Sequence, residues 1–229
     1  MNIAICITTC SRVDMLQQLL DDIDREMPAG WKHWISVWED VREDVAYPND
    51  TKIRVDRIGK WTKHCFGVDH YGETIGRQWE QAANINHDRF VFLQDDVRLV
   101  PGFFLEAERI WSEIKDDHKA VLNCIRDNRP PGPCWSMWWP VQMTPDVDLT
   151  QWMDCAAIYS DEKFLGRVLP IRNRARPPES ISSGVGRDLT LHLHWSGLHI
   201  YQVRQTLVKH GNHISVMHPH ERRLTPIIA

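Results

Sequence analysis

Phe90-Val-Phe-Leu-Gln-Asp-Asp-Val97, with Pro101-Gly102 close behind it, decides how the rest of the chain is read. Four apolar residues in a row read as a strand buried on both faces, the habit of a parallel sheet. Two adjacent carboxylates then stand where the strand ends and the chain must turn. Open α/β sheets bind their ligands beyond the carboxyl ends of their strands, so Asp95 and Asp96 are placed to meet a metal ion or a phosphate. Asp is also a common turn residue, and the pair taken alone reads equally as the start of a turn before the next helix.

On either side of this strand the pattern alternates. Ile3-Ala-Ile-Cys-Ile7 is a second buried-strand run, and behind it Val13, Leu16, Leu19, Leu20 and Ile23 recur at helical spacing. Further strands are expected at Ile35 to Trp38, more weakly at Ile53 to Val55, and at Ala120 to Ile125 and Leu198 to Val203. Further helices are expected from Ile75, Trp79 and Ala82 or Ala83, from Phe103, Ala107, Ile110 and Ile114, and from Leu189 and Leu193 with Gly197 as a stop. Strands alternating with helices predict an α/β fold, a mostly parallel sheet flanked by helices on both faces. Pro130-Pro-Gly-Pro-Cys-Trp-Ser-Met-Trp-Trp-Pro140 interrupts the alternation. It is too rich in proline for regular structure and too aromatic for a solvated linker, so it reads as a binding loop. A second irregular stretch, 172–186, carries Arg172, Arg174 and Arg176, with Arg187 just beyond it.

Composition bounds the rest. A chain of 229 residues suits one large α/β domain. Its 42% hydrophobic and 25% charged residues are ordinary globular usage and exclude long disorder. A net charge of −4 gives no global field for nucleic acid. No window approaches the roughly 18 apolar residues of a membrane span, and Met1-Asn2-Ile3 leads straight into a strand, so a soluble, cytoplasmic protein is expected. Six cysteines are scattered without a C-x-x-C pair, which favours thiols over disulfides or a zinc knuckle.

The order of these pieces resembles a nucleotide-sugar glycosyltransferase of the GT-A fold, nearest to the family 2 type of short bacterial and viral enzymes. The opening Ile5-Cys-Ile-Thr-Thr-Cys-Ser-Arg12 is similar to that family's first strand and its Pro-Thr-Tyr-Asn-Arg-like loop, which embraces the nucleotide. Asp40 stands where the family places the acidic residue that receives the base, and Gly72-Glu-Thr-Ile-Gly-Arg77 resembles its glycine and arginine ahead of the central helix. Phe90 to Val97 resembles the strand and D-x-D motif. Gly186 to Tyr201 is similar to the glycine, Glu-Asp, helix, glycine, strand signature, and Thr206-Leu-Val-Lys-His210-Gly resembles the closing segment whose histidine completes a metal site. Five motifs in family order span most of the chain. The resemblance implies a single GT-A domain over 1–229, with a nucleotide-sugar-binding half at 1–125 and an acceptor-binding half at 126–229.

The same resemblance implies the site. Thr8, Thr9, Arg12, Asp40, Gly72, Arg77 and Asp95 bind the nucleotide sugar. Asp96 and His210 hold Mn²⁺ or Mg²⁺, and Asp188 is the catalytic base. Two departures shape this transfer: Gln94 replaces the first D-x-D carboxylate, which puts the metal mainly on Asp96 and leaves Asp95 to hold the ribose or steer Arg77, and Arg187 replaces the Glu of Glu-Asp. Carboxylate, imidazole, phosphate oxygens and water make a suitable shell for such an ion, and His213, His218 and His220 are alternative ligands. Asp188 equally suits a helix cap. A single base acting in line with the leaving diphosphate implies inversion. Trp135, Trp138 and Trp139 are expected to stack on the acceptor, and about half of the eleven tryptophans to pack in the core.

The expected activity is transfer from a UDP-sugar, glucose or a relative, to a saccharide or small-molecule acceptor. An alternative acceptor is a hydroxymethylated pyrimidine in DNA, which requires an exposed base, an aromatic slot and a local basic rim. A nucleotidyltransferase or a non-catalytic nucleotide-binding module are the readings from other classes. The former calls for an early glycine-rich loop, and Thr8-Thr-Cys-Ser-Arg12 has no glycine.

Overall fold

The computed structural model describes residues 1–9, 12–41, 55–60, 70–126, 141–153, 155–169 and 185–210, with the backbone alone at 39–41, 55–60, 70–74 and 187. The chain opens with strand β1 (Asn2–Thr9), seven of whose eight residues are buried. Helix α1 (Val13–Glu26) follows and buries Leu16, Leu19, Leu20, Asp22 and Ile23, one stripe at helical spacing. Next come β2 (Lys32–Val41), β3 (Val55–Lys60), α2 (His70–Ala83), β4 (Arg89–Gln94), β5 (Val97–Leu99) and α3 (Phe103–Glu113). The second half holds β6 (Lys119–Asn123), β7 (Val141–Gln142), β8 (Val147–Thr150), β9 (Ala157–Asp161), α4 (Lys163–Val168), α5 (Val185–Trp195), β10 (His199–Val203) and β11 (Val208–His210).

Nine strands form one sheet in the order β3-β2-β1-β4-β9-β6-β10-β8-β7, and β11 pairs with β5 in a small separate ribbon. Within the large sheet β9 and β8 alone run against the common direction, so the sheet is mostly parallel. Alternate residues of each strand feed two cores. Ile3, Ile5, Ile7, Val91 and Leu93 meet α1 and α3 on one face. Ala4, Cys6, Phe90 and Phe92 meet α2, α4 and α5 on the other. The second core centres on Trp79 of α2, whose ring lies 5.3 Å from Phe90, 5.5 Å from Phe92 and 5.4 Å from Phe164, each edge-on. Each such pair contributes about 0.5–1.5 kcal/mol beyond its buried area and seats α2 and α4 on the sheet.

The helix α2 begins earlier than the periodicity suggests, at His70, so Gly72 and Arg77 lie inside it rather than ahead of it. The strand β9 gives no clear sequence pattern because its polar groups are satisfied only across the fold. The Tyr159 hydroxyl donates to Glu108 at 2.6 Å, and the Ser160 hydroxyl donates to the carbonyl of Ala120. Gly197, at φ 68°, ends α5, and the Leu198 N–H closes the turn on the Leu193 carbonyl at 2.9 Å. Among the described residues Cys6, Cys124 and Cys155 are buried free thiols, and no helix is long and apolar enough to cross a membrane. Trp38, Trp79 and Trp111 are core residues.

Candidate active site

The parallel strands β1 and β4 end side by side, with Thr8 opposite Gln94. The next residue turns: the Asp95 N–H donates to the Thr8 carbonyl at 3.1 Å, and the Gln94 N–H donates to Ala156 at 2.8 Å. The turn is thereby tied to β1 on one side and to the entry of β9 on the other. Asp95 is buried at 1% exposure. Its Oδ2 accepts the Thr9 hydroxyl at 2.6 Å and Arg12 Nε at 3.0 Å, and its Oδ1 accepts Arg12 Nη2. Burial pushes the Asp95 carboxyl up to about 6, against the pull of the Arg12 guanidinium, which leaves it ionised at neutral pH.

Asp96 is built differently. Its Oδ2 accepts Arg12 Nη1 at 3.2 Å, while its buried Oδ1 accepts no hydrogen bond among the described residues. That oxygen lies 3.8 Å from Nδ1 of His210. Strand pairing brings the two together, because β5 follows Asp96 directly and β11 runs antiparallel to it with His210 opposite Val97. A buried carboxylate oxygen without a donor is costly unless something cationic is to be held there. A carboxylate oxygen beside an imidazole nitrogen suits a Mn²⁺ or Mg²⁺ that would take the rest of its shell from phosphate and water. Among the described residues no group of three or more His, Cys, Asp or Glu side chains is placed to hold a metal ion.

Arg12 thus joins both carboxylates, with its own charge held firmly: burial works against it, but Asp95 and Asp96 outweigh this and raise its pKa. Asp95 is held by Thr9 and Arg12, and Arg77 sits exposed on α2. Asp40 lies at the end of β2, where neighbouring Glu39 pairs with Thr9, so its backbone shares this rim. Gln78, fully buried on α2, donates to the carbonyls of Ile7 at 3.0 Å and Ser36 at 2.8 Å and so stitches α2 to β1 and β2.

Asp188 occupies the first turn of α5, where its charge is also favoured by the helix dipole. The start of α5 is pinned to the segment that enters β9. The Met153 N–H donates to the Thr190 hydroxyl at 3.2 Å, and a Cβ on Gly186 would stand 2.9 Å from the Met153 carbonyl oxygen, so only glycine fits this approach. Because that segment also receives Gln94, the start of α5 lies at the same end of the sheet as the Asp96 turn. Trp135, Trp138, Trp139, His213, His218, His220, Arg172, Arg174, Arg176 and the side chain of Arg187 lie outside the described residues.

Three residues near the rim escaped the sequence reading. Buried Asp22 pairs with the exposed Arg98 behind the Asp96 turn, and the available signal was a carboxylate standing within the apolar stripe of α1. Asn123, buried at the end of β6, has an Nδ2 without an acceptor among the described residues, and nothing in its strand pattern announces this.

No family model and no curated protein sequence matches the chain. Solved structures do. S. aureus TarS superposes with a TM-score of 0.58 at 11% identity, over 92% of this chain and 37% of that one. GalNAc-T7, solved with UDP, GalNAc and Mn²⁺, gives 0.60 at 10% identity over 91% of this chain and 43% of its own. A mannosyltransferase from Pyrobaculum calidifontis, solved with GDP-Man and Mn²⁺, gives 0.51 at 12% identity over 86% and 53%. The chain therefore spans about a third to a half of the length of these proteins, and it has the GT-A nucleotide-sugar glycosyltransferase fold.

Proposed function

We propose that this chain is a divalent-metal-dependent glycosyltransferase that moves a sugar, glucose or a relative, from a UDP-sugar to a hydroxyl of a saccharide or small-molecule acceptor, with inversion at the anomeric carbon. The observation that carries the reading is the open oxygen of Asp96, buried, without a donor and facing His210 at the carboxyl end of β4 in a GT-A fold. Asp96 and His210 hold Mn²⁺ or Mg²⁺. When bound, that ion offsets the charge that builds on the diphosphate as the sugar departs.

The chain's own residues do the rest. Arg12, held by two contacts on an Asp95 that Thr9 also holds, keeps the Asp96 carboxylate oriented with Oδ1 toward His210. Thr8, Thr9, Asp40, Gly72 and Arg77 bind the nucleotide sugar in the half formed by 1–125. Asp188 accepts the proton of the acceptor hydroxyl as that oxygen bonds to the anomeric carbon from the face opposite the diphosphate. An α-linked donor then gives a β-linked product. The 126–229 half receives the acceptor, with Trp135, Trp138 and Trp139 stacking on it.

The test is a screen of UDP-sugars crossed against saccharides, small-molecule alcohols and hydroxymethylated DNA, read as a mass shift of the acceptor. One saccharide or small-molecule pair that reacts is the expected result, and Asp188→Ala should then lower transfer by about 10²–10⁴ with UDP binding kept. A mass shift on DNA alone would overturn the acceptor class. A product of retained configuration would overturn inversion, and no transfer with any pair would overturn the enzymatic reading.

A further inference from the structure

Asp22 is fully buried on α1, yet the proposed reaction gives it nothing to do. Its carboxylate is saturated. Oδ2 accepts Arg98 Nε at 2.6 Å and the Leu99 N–H at 3.1 Å, and Oδ1 accepts Arg98 Nη2 at 2.8 Å and Arg25 Nη2 at 2.6 Å. One turn further along α1, Glu26 accepts the Gly102 N–H at 2.7 Å. The helix therefore grips the chain at Arg98, Leu99 and Gly102, the stretch that leaves the Asp96 turn.

That stretch governs both candidate metal ligands. Asp96 is covalently joined to the start of β5, and His210 is carried on β11, which pairs Lys209 with Arg98 and His210 with Val97. Any shift of β5 against α1 moves the pair together relative to β1 and Arg12. Burial works to raise the Asp22 carboxyl, but hydrogen bonds from Arg98 and Arg25 outweigh it and hold its pKa below the ordinary value, so it stays charged. Stability is a weak reason for such a pair, since well-packed apolar residues serve a buried position as well or better. A bidentate fork, in contrast, fixes direction and distance as no apolar contact does.

We infer that Asp22, acting through Arg98, is a positioning residue for the metal and diphosphate site, setting where Asp96 and His210 stand against β1. The inference rests on the proposed roles of Asp96 and His210 and adds the element that holds them in place. Supporting residues of this kind are worth about 10- to 100-fold in metal affinity when removed.

The test compares Asp22→Asn, Arg98→Lys and Glu108→Gln variants of the 229-residue chain with the unaltered chain, all at a temperature where near-ultraviolet circular dichroism shows them folded. Glu108 anchors α3 to Arg89 at the other end of β4 and serves as the purely structural reference. Mn²⁺ binding in the presence of UDP is read from the electron paramagnetic resonance of free Mn²⁺, with the Mn²⁺ concentration for half-maximal transfer as a second measure. Asp22→Asn and Arg98→Lys are expected to raise the apparent Mn²⁺ Kd by about 10- to 100-fold, and Glu108→Gln to leave it in place. Arg98 is 41% exposed, so its lysine variant decides the matter should Asp22→Asn fail to fold. Unshifted Mn²⁺ affinity in folded Arg98→Lys overturns the inference, as does an equal loss in Glu108→Gln. An unaltered chain that binds no Mn²⁺ with UDP sinks the metal reading itself, and this inference with it.

Discussion

At the start of β4, Arg89 donates through Nε and Nη2 to both oxygens of Glu108 at 2.6 and 2.7 Å, and Tyr159 and Ser112 add one hydroxyl to each. At the end of the same strand, Arg12 reaches Asp95 and Asp96, but one oxygen of Asp96 is left without a donor. Both are arginine–carboxylate pairs whose arginines are equally buried, and Asp96 is no more exposed than Glu108. The difference teaches how to tell an anchor from a site: the anchor uses up its acceptors within the protein, and the site keeps one back although burial makes that costly.

The comparison can be broken by experiment. Asp96→Ala should reduce transfer at saturating acceptor by at least about a hundredfold, because a bound ion contributes several kcal/mol to the transition state, with little change in Tm. Near-normal turnover in a folded Asp96→Ala protein would show that the open oxygen is no site. Glu108→Gln should do the reverse, lowering stability by about 2–4 kcal/mol in urea titration while turnover per folded molecule holds, since it strands a half-buried guanidinium and a buried phenol. Gly186→Ala should cost about 1–3 kcal/mol, as the new methyl must displace the Met153 carbonyl, and should slow transfer by turning the first helical turn that carries Asp188.

The smallest effect expected is on acid stability. Burial raises the Glu108 carboxyl, but hydrogen bonds from Arg89, Tyr159 and Ser112 outweigh it, so its folded pKa lies below the ordinary 4.5. A carboxyl depressed in the folded state contributes stability that is present above 4.5 and is lost as pH falls through the folded value. Between pH 6 and about 3 the unaltered chain should therefore lose more stability than Glu108→Gln. Parallel Tm curves for the two proteins across that interval would remove Glu108 from the acid response.

Much of the fold was legible because its signals are local. The stripe Leu16, Leu19, Leu20, Ile23 predicted α1, and the run Phe90 to Leu93 predicted β4 buried on both faces, since periodicity reports which face must leave water. The strands β5 and β11 were not legible, at three residues each, and neither was β9, whose Tyr159 and Ser160 are tolerable in the core only through Glu108 and Ala120. The site shows the same division. Asp95 and Asp96 announced themselves by following an apolar strand, while the Asp22–Arg98 brace was hidden because neither residue has a meaning until α1 lies against β5.

The sequence by itself determined that two carboxylates end a central strand of a mostly parallel sheet and that Asp188 and His210 follow in order. Those facts depend on spacing and turn chemistry within a few residues. Only the tertiary structure decided that Asp95 is held by Thr9 and Arg12, that Asp96 Oδ1 accepts no hydrogen bond among the described residues, and that His210 stands 3.8 Å from it. Arg12 is 84 residues from Asp96 and His210 sits on the last described strand, so their meeting is settled by strand order and ladder register, which no local pattern records.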